Sequence, residues 1–228
     1  MTEPADARRE QVLARVRRAL GRGEPDAAAA TPARDVASAR VERPRANTIP
    51  MRAQLQQPRL GELFDEMVRA AQATLERVPS MDAVPDAVRR WCTEAGVDGD
   101  VIVAPESPLG ALSWGDPAPE RRLVRSGDAL SVSTAEAGIA ETGTLLVCSG
   151  PENPVTANFL PDNQVIVVRS ADLVGAPEDA WMRLRARGDL PRTVNWITGP
   201  SRSGDIEMTM LMGAHGPVRL HVLVVEDA

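Results

Sequence analysis

The chain has 228 residues, 43% of them hydrophobic and 25% charged, which suits a globular protein of one large domain or a domain with an appendage. All 26 basic residues are arginine, tyrosine is absent, and there are only two cysteines and two histidines. That excludes a Walker-type or Schiff-base lysine, a phenolic acid or base, a four-cysteine zinc site and an iron–sulfur cluster.

Charge divides the chain in two. Residues 1–60 hold twelve arginines against seven acids, and the remainder is strongly acidic, for a net charge of −6. The first predicted element is a helix over about residues 5–20. Val12, Leu13, Val16 and Leu20 form its apolar stripe, and Arg8, Arg9, Arg15, Arg17 and Arg18 cover much of the rest. Such a helix docks on its own body, on a neighbouring subunit or on a partner. Residues 22–50 are rich in Ala, Pro and Arg and poor in large apolar residues, so they read as a linker. The expected division is an arm at 1–50 and an α/β domain at 51–228.

The body alternates helical and strand patterns. Leu63, Phe64, Met67, Val68, Ala71 and Leu75 predict a helix over 60–77, and Val84, Val88 and Trp91 a second one closed by Gly96. Apolar runs at 101–103, 144–147, 165–168, 194–197 and 220–225 predict strands, with a third helix at about 176–187. The runs are continuous and rich in β-branched residues, the pattern of strands buried on both faces. They predict a mostly parallel sheet with helices on both faces, and in such sheets ligands collect at the carboxyl ends of the strands.

Three glycine-rich segments carry the candidate chemistry. In the first, 138–144, Thr142 and Thr144 offer hydroxyls, Gly143 lets the backbone approach a ligand, and Glu141 is the one acid. Glu141 reads either as a base or nucleophile or as a solvated turn residue. The second, 198–207, follows a strand and opens a predicted helix at about 205–212. Thr198, Gly199, Ser201, Arg202 and Asp205 combine hydroxyls, a guanidinium and a helix start, which suits a carboxylate or phosphate. Arg202 is alternatively paired with Asp205 or Glu207. The third, Gly213 to Pro217, sets His215 and Gly216 in a turn before the last strand. There His215 is a candidate acid/base or a loop-bonding residue. His221, inside that strand, is a structural residue or a ligand contact.

Taken together and in order, the segments 138–144, Leu160-Pro161, 198–207 and 213–222 resemble the LUD-domain family, over about residues 60–228. The resemblance implies a fold like the sugar-phosphate isomerase and CoA-transferase group. It also implies a part in oxidising L-lactate to pyruvate, beside two partner proteins that hold the iron–sulfur clusters. Family members often carry a histidine after the Leu-Pro, where this chain has Gln164.

The leading expectation is therefore a component that binds a small 2-hydroxy or 2-oxo carboxylate without a redox centre of its own. Glu141 and His215 are the candidate catalytic residues. Thr142, Gly143, Thr144, Thr198, Gly199, Ser201, Arg202, Asp205, Gly216 and His221 are the candidate binding residues. The alternatives are a CoA-transferase or ligase acting through Glu141, and a non-catalytic assembly or regulatory subunit. No metal, cofactor or nucleic-acid partner is signalled. Few cysteines, a polar start and no apolar run of about 20 residues lead to an expectation of a cytoplasmic chain without a membrane span, with homo-oligomers possible.

Overall fold

A computed structural model describes residues 5–21, 27–42, 48–203 and 211–226. It divides into two compact units, Met1–Asn47 and Thr48–Ala228. The first holds α1 (Ala5–Ala19) and α2 (Ala27–Glu42). In α1 the stripe of Val12, Val16 and Leu20 is exposed, and Arg17 pairs with Glu10 at 2.6 Å. The second helix replaces the expected linker. Its alanines lack the apolar bulk for a core, but alanine has the highest intrinsic helix propensity and loses no side-chain entropy.

In the second unit α3 (Arg59–Ala70) is followed by β1 (Thr74–Val78), so the helix predicted to 77 stops early. Gln72, at φ 67°, turns the chain there, and Leu75 belongs to the strand. Next come α4 (Val84–Ala95), closed by left-handed Gly96 as predicted, and then β2 (Val101–Val103), β3 (Glu120–Arg121) and β4 (Leu130–Thr134). The hairpin of β5 (Ala137–Ile139) and β6 (Thr144–Cys148) leads to β7 (Asn163–Arg169), β8 (Leu173–Val174) and α5 (Pro177–Ala186). The chain closes with β9 (Val194–Ile197), β10 (Arg202–Ser203), β11 (Leu211–Met212) and β12 (Arg219–Val225).

The main sheet has six strands, all parallel, in the order β1-β12-β7-β4-β2-β3. Side chains alternate across β7. Val165 and Val167 face α4 through Val84, Val88 and Trp91, while Ile166 and Val168 face α3 through Leu60, Phe64 and Val68. That two-sided burial explains the continuous apolar runs. The runs at 144–147 and 194–197 do not join this sheet. They form a second one, β8-β5-β6-β9, in which β6 is antiparallel to both neighbours. A turn as short as 140–143 can only reverse the chain, because a parallel return needs a crossover of a dozen residues. Leu145 and Val147 of this sheet pack in the α3 core, and Ile139 and Leu146 pack on Ala180 and Leu184 of α5. The α/β class and the helices on both faces of the main sheet follow the sequence expectation.

Candidate functional site

Three loops meet where β9 ends and where β7 and β12 begin. Backbone hydrogen bonds join them: the Ser201 amide donates to the Pro217 carbonyl at 2.9 Å, Gly213 to Ser201 at 2.9 Å, and Val218 to Asp162 at 2.7 Å. Between them lies a cavity of about 250 Å³ whose lining includes Thr198, Gly199, Ser201, Arg202, His215 and Gly216. The second and third glycine-rich segments are thus brought together. The cavity sits at the amino ends of β7 and β12, which corrects the expectation of carboxyl ends. The cause is topological: β9 runs in the second sheet, and its carboxyl end meets the amino ends of the main strands.

Arg202 is held at the rim. Its Nη2 donates to the carbonyl of Ala71 at 3.2 Å and its Nη1 to Gln72 Oε1 at 3.3 Å, both just past α3. Gly199 explains the close fit there. At φ 70°, a Cβ on it would lie 2.1 Å from the Ala71 oxygen. His215 is exposed at the cavity. Asp205 lies outside the described residues, as does most of the helix predicted at 205–212. The described end of that segment, Leu211–Met212, is a strand paired antiparallel with Arg202–Ser203. A helix cannot include residues that pair in a hairpin, so its predicted end is corrected.

The first glycine-rich segment contributes less directly. Thr142, Thr144 and Thr198 form a chain of hydroxyls, 2.7 Å at each step, so these threonines reach the cavity through Thr198. A Cβ on Gly143, at φ 64°, would lie 2.5 Å from backbone atoms of Met67 and Val68. The close approach that this glycine permits is therefore to α3. Glu141 is not in the cavity lining; its carboxylate faces Arg52 at 3.4 Å. His221 is on the opposite face of β12 from Leu220, which lines the cavity. There its Nδ1 is 2.8 Å from Thr74 Oγ1, and its ring stacks on Trp91 with centroids 5.1 Å apart. Burial pushes its pKa down to about 4.

Sequence reasoning missed part of the lining: Asn158, Phe159 and Trp196, with Gln164 noted only as a departure. Polar Asn158 and Gln164 flanking Leu160-Pro161 at the head of an apolar run were the available signal. A second cavity, of about 320 Å³, does lie at carboxyl ends, beside Thr134 of β4 and Cys148 of β6. Glu106, Glu136 and Glu152 line it, and its one guanidinium, Arg187, is bonded to Glu136. That charge balance repels an anion. The Cys148 thiol is pushed above its ordinary pKa by burial first and by Glu136 second, so it is not poised as a thiolate. Among the described residues no His, Cys, Asp or Glu cluster could hold a metal ion, and no helix is long and apolar enough to cross a membrane.

Comparison with known proteins gives a consistent direction. Residues 128–225 match the LUD domain. Lactate utilization protein C of Bacillus licheniformis is 33% identical over 128 residues, which cover 54% of this chain and 53% of the relative. The protein of the same name from Halalkalibacterium halodurans is 33% identical over 119 residues, 50% of this chain and 52% of the relative. The chain therefore spans about half the length of these two relatives. Uncharacterized protein YkgG of Escherichia coli matches more extensively, 26% identical over 193 residues and 83% of its length. Among solved structures, a DUF162 family protein from Deinococcus radiodurans shares the fold. It has a TM-score of 0.58 and 22% identity over 75% of this chain and 99% of that one.

Proposed function

We propose that this chain, whose residues 128–225 match the LUD domain, serves lactate utilisation by binding a small 2-hydroxy or 2-oxo carboxylate in the cavity between β9, β7 and β12. One observation carries the reading. The segments at 198–202 and 213–217, distant in sequence, close one cavity with Arg202 and His215 in its lining. A guanidinium held in place by Ala71 and Gln72 loses little freedom on gripping a carboxylate. In the cavity-bound lactate, His215 accepts the hydroxyl proton as the alcohol becomes a ketone. Loss of the C2 hydrogen with two electrons needs a two-electron acceptor outside this chain, whose electrons the iron–sulfur clusters of partner proteins would carry away one at a time. Two cysteines are too few to ligate a cluster here, so this chain acts as one component of that system, in the reducing cytoplasm.

Calorimetric titration with L-lactate and pyruvate tests the reading, on the chain alone and with its cluster-bearing partners present. Binding is expected, and Arg202→Gln should weaken it roughly 10- to 100-fold, the worth of a charge-assisted hydrogen bond. If neither acid binds in either setting, or if Arg202→Gln binds as the wild type does, this cavity is not the carboxylate site.

A further inference from the structure

The lining of this cavity includes a buried polar residue with one group that has no hydrogen-bond partner among the described residues. Asn158 ends the short turn Val155–Asn158 and is 2% exposed; Gln164, the second residue of β7, is 1% exposed. Gln164 Nε2 donates to Asn158 Oδ1 at 2.8 Å. Asn158 Nδ2 then has no hydrogen-bond partner among the described residues. A buried amide left in that state costs about 1–3 kcal/mol, so such groups are rare unless something completes them.

The amide is also held firmly. Gln164 sits in mid-sheet, in register with Leu220 of β12 on one side and Ser131 of β4 on the other. Ser131 Oγ donates to the carbonyl of Ala157, the residue before Asn158, at 2.7 Å. With its oxygen taken by Gln164 and the preceding carbonyl taken by Ser131, Asn158 keeps its Nδ2 fixed in the wall of the cavity. A donor placed so rigidly is the arrangement of a preorganised recognition group.

The rest of the cavity defines what it would recognise. Ile197, Leu220 and Phe159 give it apolar walls, and Phe159 is 42% exposed. A volume of about 250 Å³ equals that of roughly eight waters in the liquid. A three-carbon acid would leave much of it empty and Phe159 uncovered.

We propose that Asn158 Nδ2 reads the C2 oxygen of the ligand, that Gln164 is the positioning residue for it, and that the ligand is a 2-oxo or 2-hydroxy acid with an apolar side chain longer than that of lactate. This rests on the carboxylate reading of the same cavity. Arg202 takes the carboxylate, Asn158 the C2 oxygen, and Phe159 and Leu220 the side chain. Gln164 touches no ligand and acts by holding Asn158.

The experiment is a titration series on the full chain with pyruvate, 4-methyl-2-oxopentanoate and phenylpyruvate, for the wild type, Asn158→Asp and Gln164→Leu, with thermal midpoints recorded. The two larger acids are expected to bind wild type about tenfold or more tighter than pyruvate, from burial of the extra apolar area. Asn158→Asp, which sets an acceptor against an acceptor, should weaken all three by about tenfold or more, and Gln164→Leu by a smaller factor. The side-chain amide ¹⁵N–¹H signals of Asn158 should shift on binding, which a purely structural amide would not show. If either variant fails to fold, the wild-type size series and the Asn158 signals decide. Pyruvate binding that depends on Arg202, with no preference for larger acids or no movement of the Asn158 signals, overturns this proposal and leaves the carboxylate site intact. Absence of binding by every acid overturns both.

Discussion

His221 shows how one buried side chain makes stability depend on pH. It is 3% exposed, stacked on Trp91 and bonded through Nδ1 to Thr74, so burial lowers its pKa from 6.5 to about 4. A folded-state pKa below the unfolded one means that the unfolded chain binds the proton first as pH falls. Stability is therefore intact above pH 6.5 and is lost between 6.5 and about 4. The loss from this residue should reach about 2 kcal/mol at pH 5. Urea unfolding of wild type and His221→Phe at pH 7.5 and pH 5 checks it. The wild type should lose the larger amount, and equal losses would contradict the assignment. Gly199 makes a separate case. A Cβ there meets the Ala71 oxygen at 2.1 Å while φ is 70°, so Gly199→Ala should cost about 2 kcal/mol or more and disturb the rim that seats Arg202. Chemical denaturation gives the first and the pyruvate titration the second. Residue types in local segments were enough to find Arg202, His215 and Ser201, because glycines, hydroxyls and charges lie close together in sequence. Asn158 was not legible in that way. Its role comes from Gln164, which the register of β7 places beside it, and from an unmet hydrogen bond that only coordinates reveal.

At the scale of elements, burial was easier to read than pairing. The apolar stripe of α3 and the continuous run of β7 predict their own structure, because a residue's two neighbours along one face are fixed by local geometry. Phe64, fully buried between α3 and β5, is where that stripe meets both sheets. Phe64→Ala should cost about 3–5 kcal/mol, measurable as a drop in unfolding free energy. Where local signals competed, the reading failed. Leu75 continues the helical spacing, yet Gln72 turns the chain and the strand wins. The serines of β4 break the apolar run, although Ser131 and Ser133 are both buried, and the strand passed unnoticed. Which sheet β9 joins depends on its antiparallel pairing with β6, some fifty residues earlier. Nothing in either segment states that, and it alone decides that the cavity opens at the amino ends of β7 and β12. The ligand rule for open sheets failed here because two sheets, and not one, supply the walls.

Across the whole molecule, the two compact units differ in charge. Residues 1–47 carry ten arginines against seven acids, and residues 48–228 carry sixteen against twenty-five. We propose that the arm docks on a partner, as against its own body or a second copy of the chain. Its α1 stripe is exposed, and a helix of 15 residues has little stability in water without a surface to cover. The body, by contrast, has its own core on both faces of the main sheet, built wholly from residues beyond 48. Deleting residues 1–47 should then leave the thermal midpoint within a few degrees of the full chain, since about 1 kcal/mol corresponds to 2–4 °C in a domain of this size. On the proposed function, the same deletion should abolish co-purification with iron–sulfur proteins, while pyruvate still binds the body. Because the arm is basic, that association in the full chain should weaken as salt rises from 50 to 500 mM, through screening of its arginines. A large fall in midpoint would show that the arm completes the core. Intact co-purification would show that the partners grip the acidic body instead.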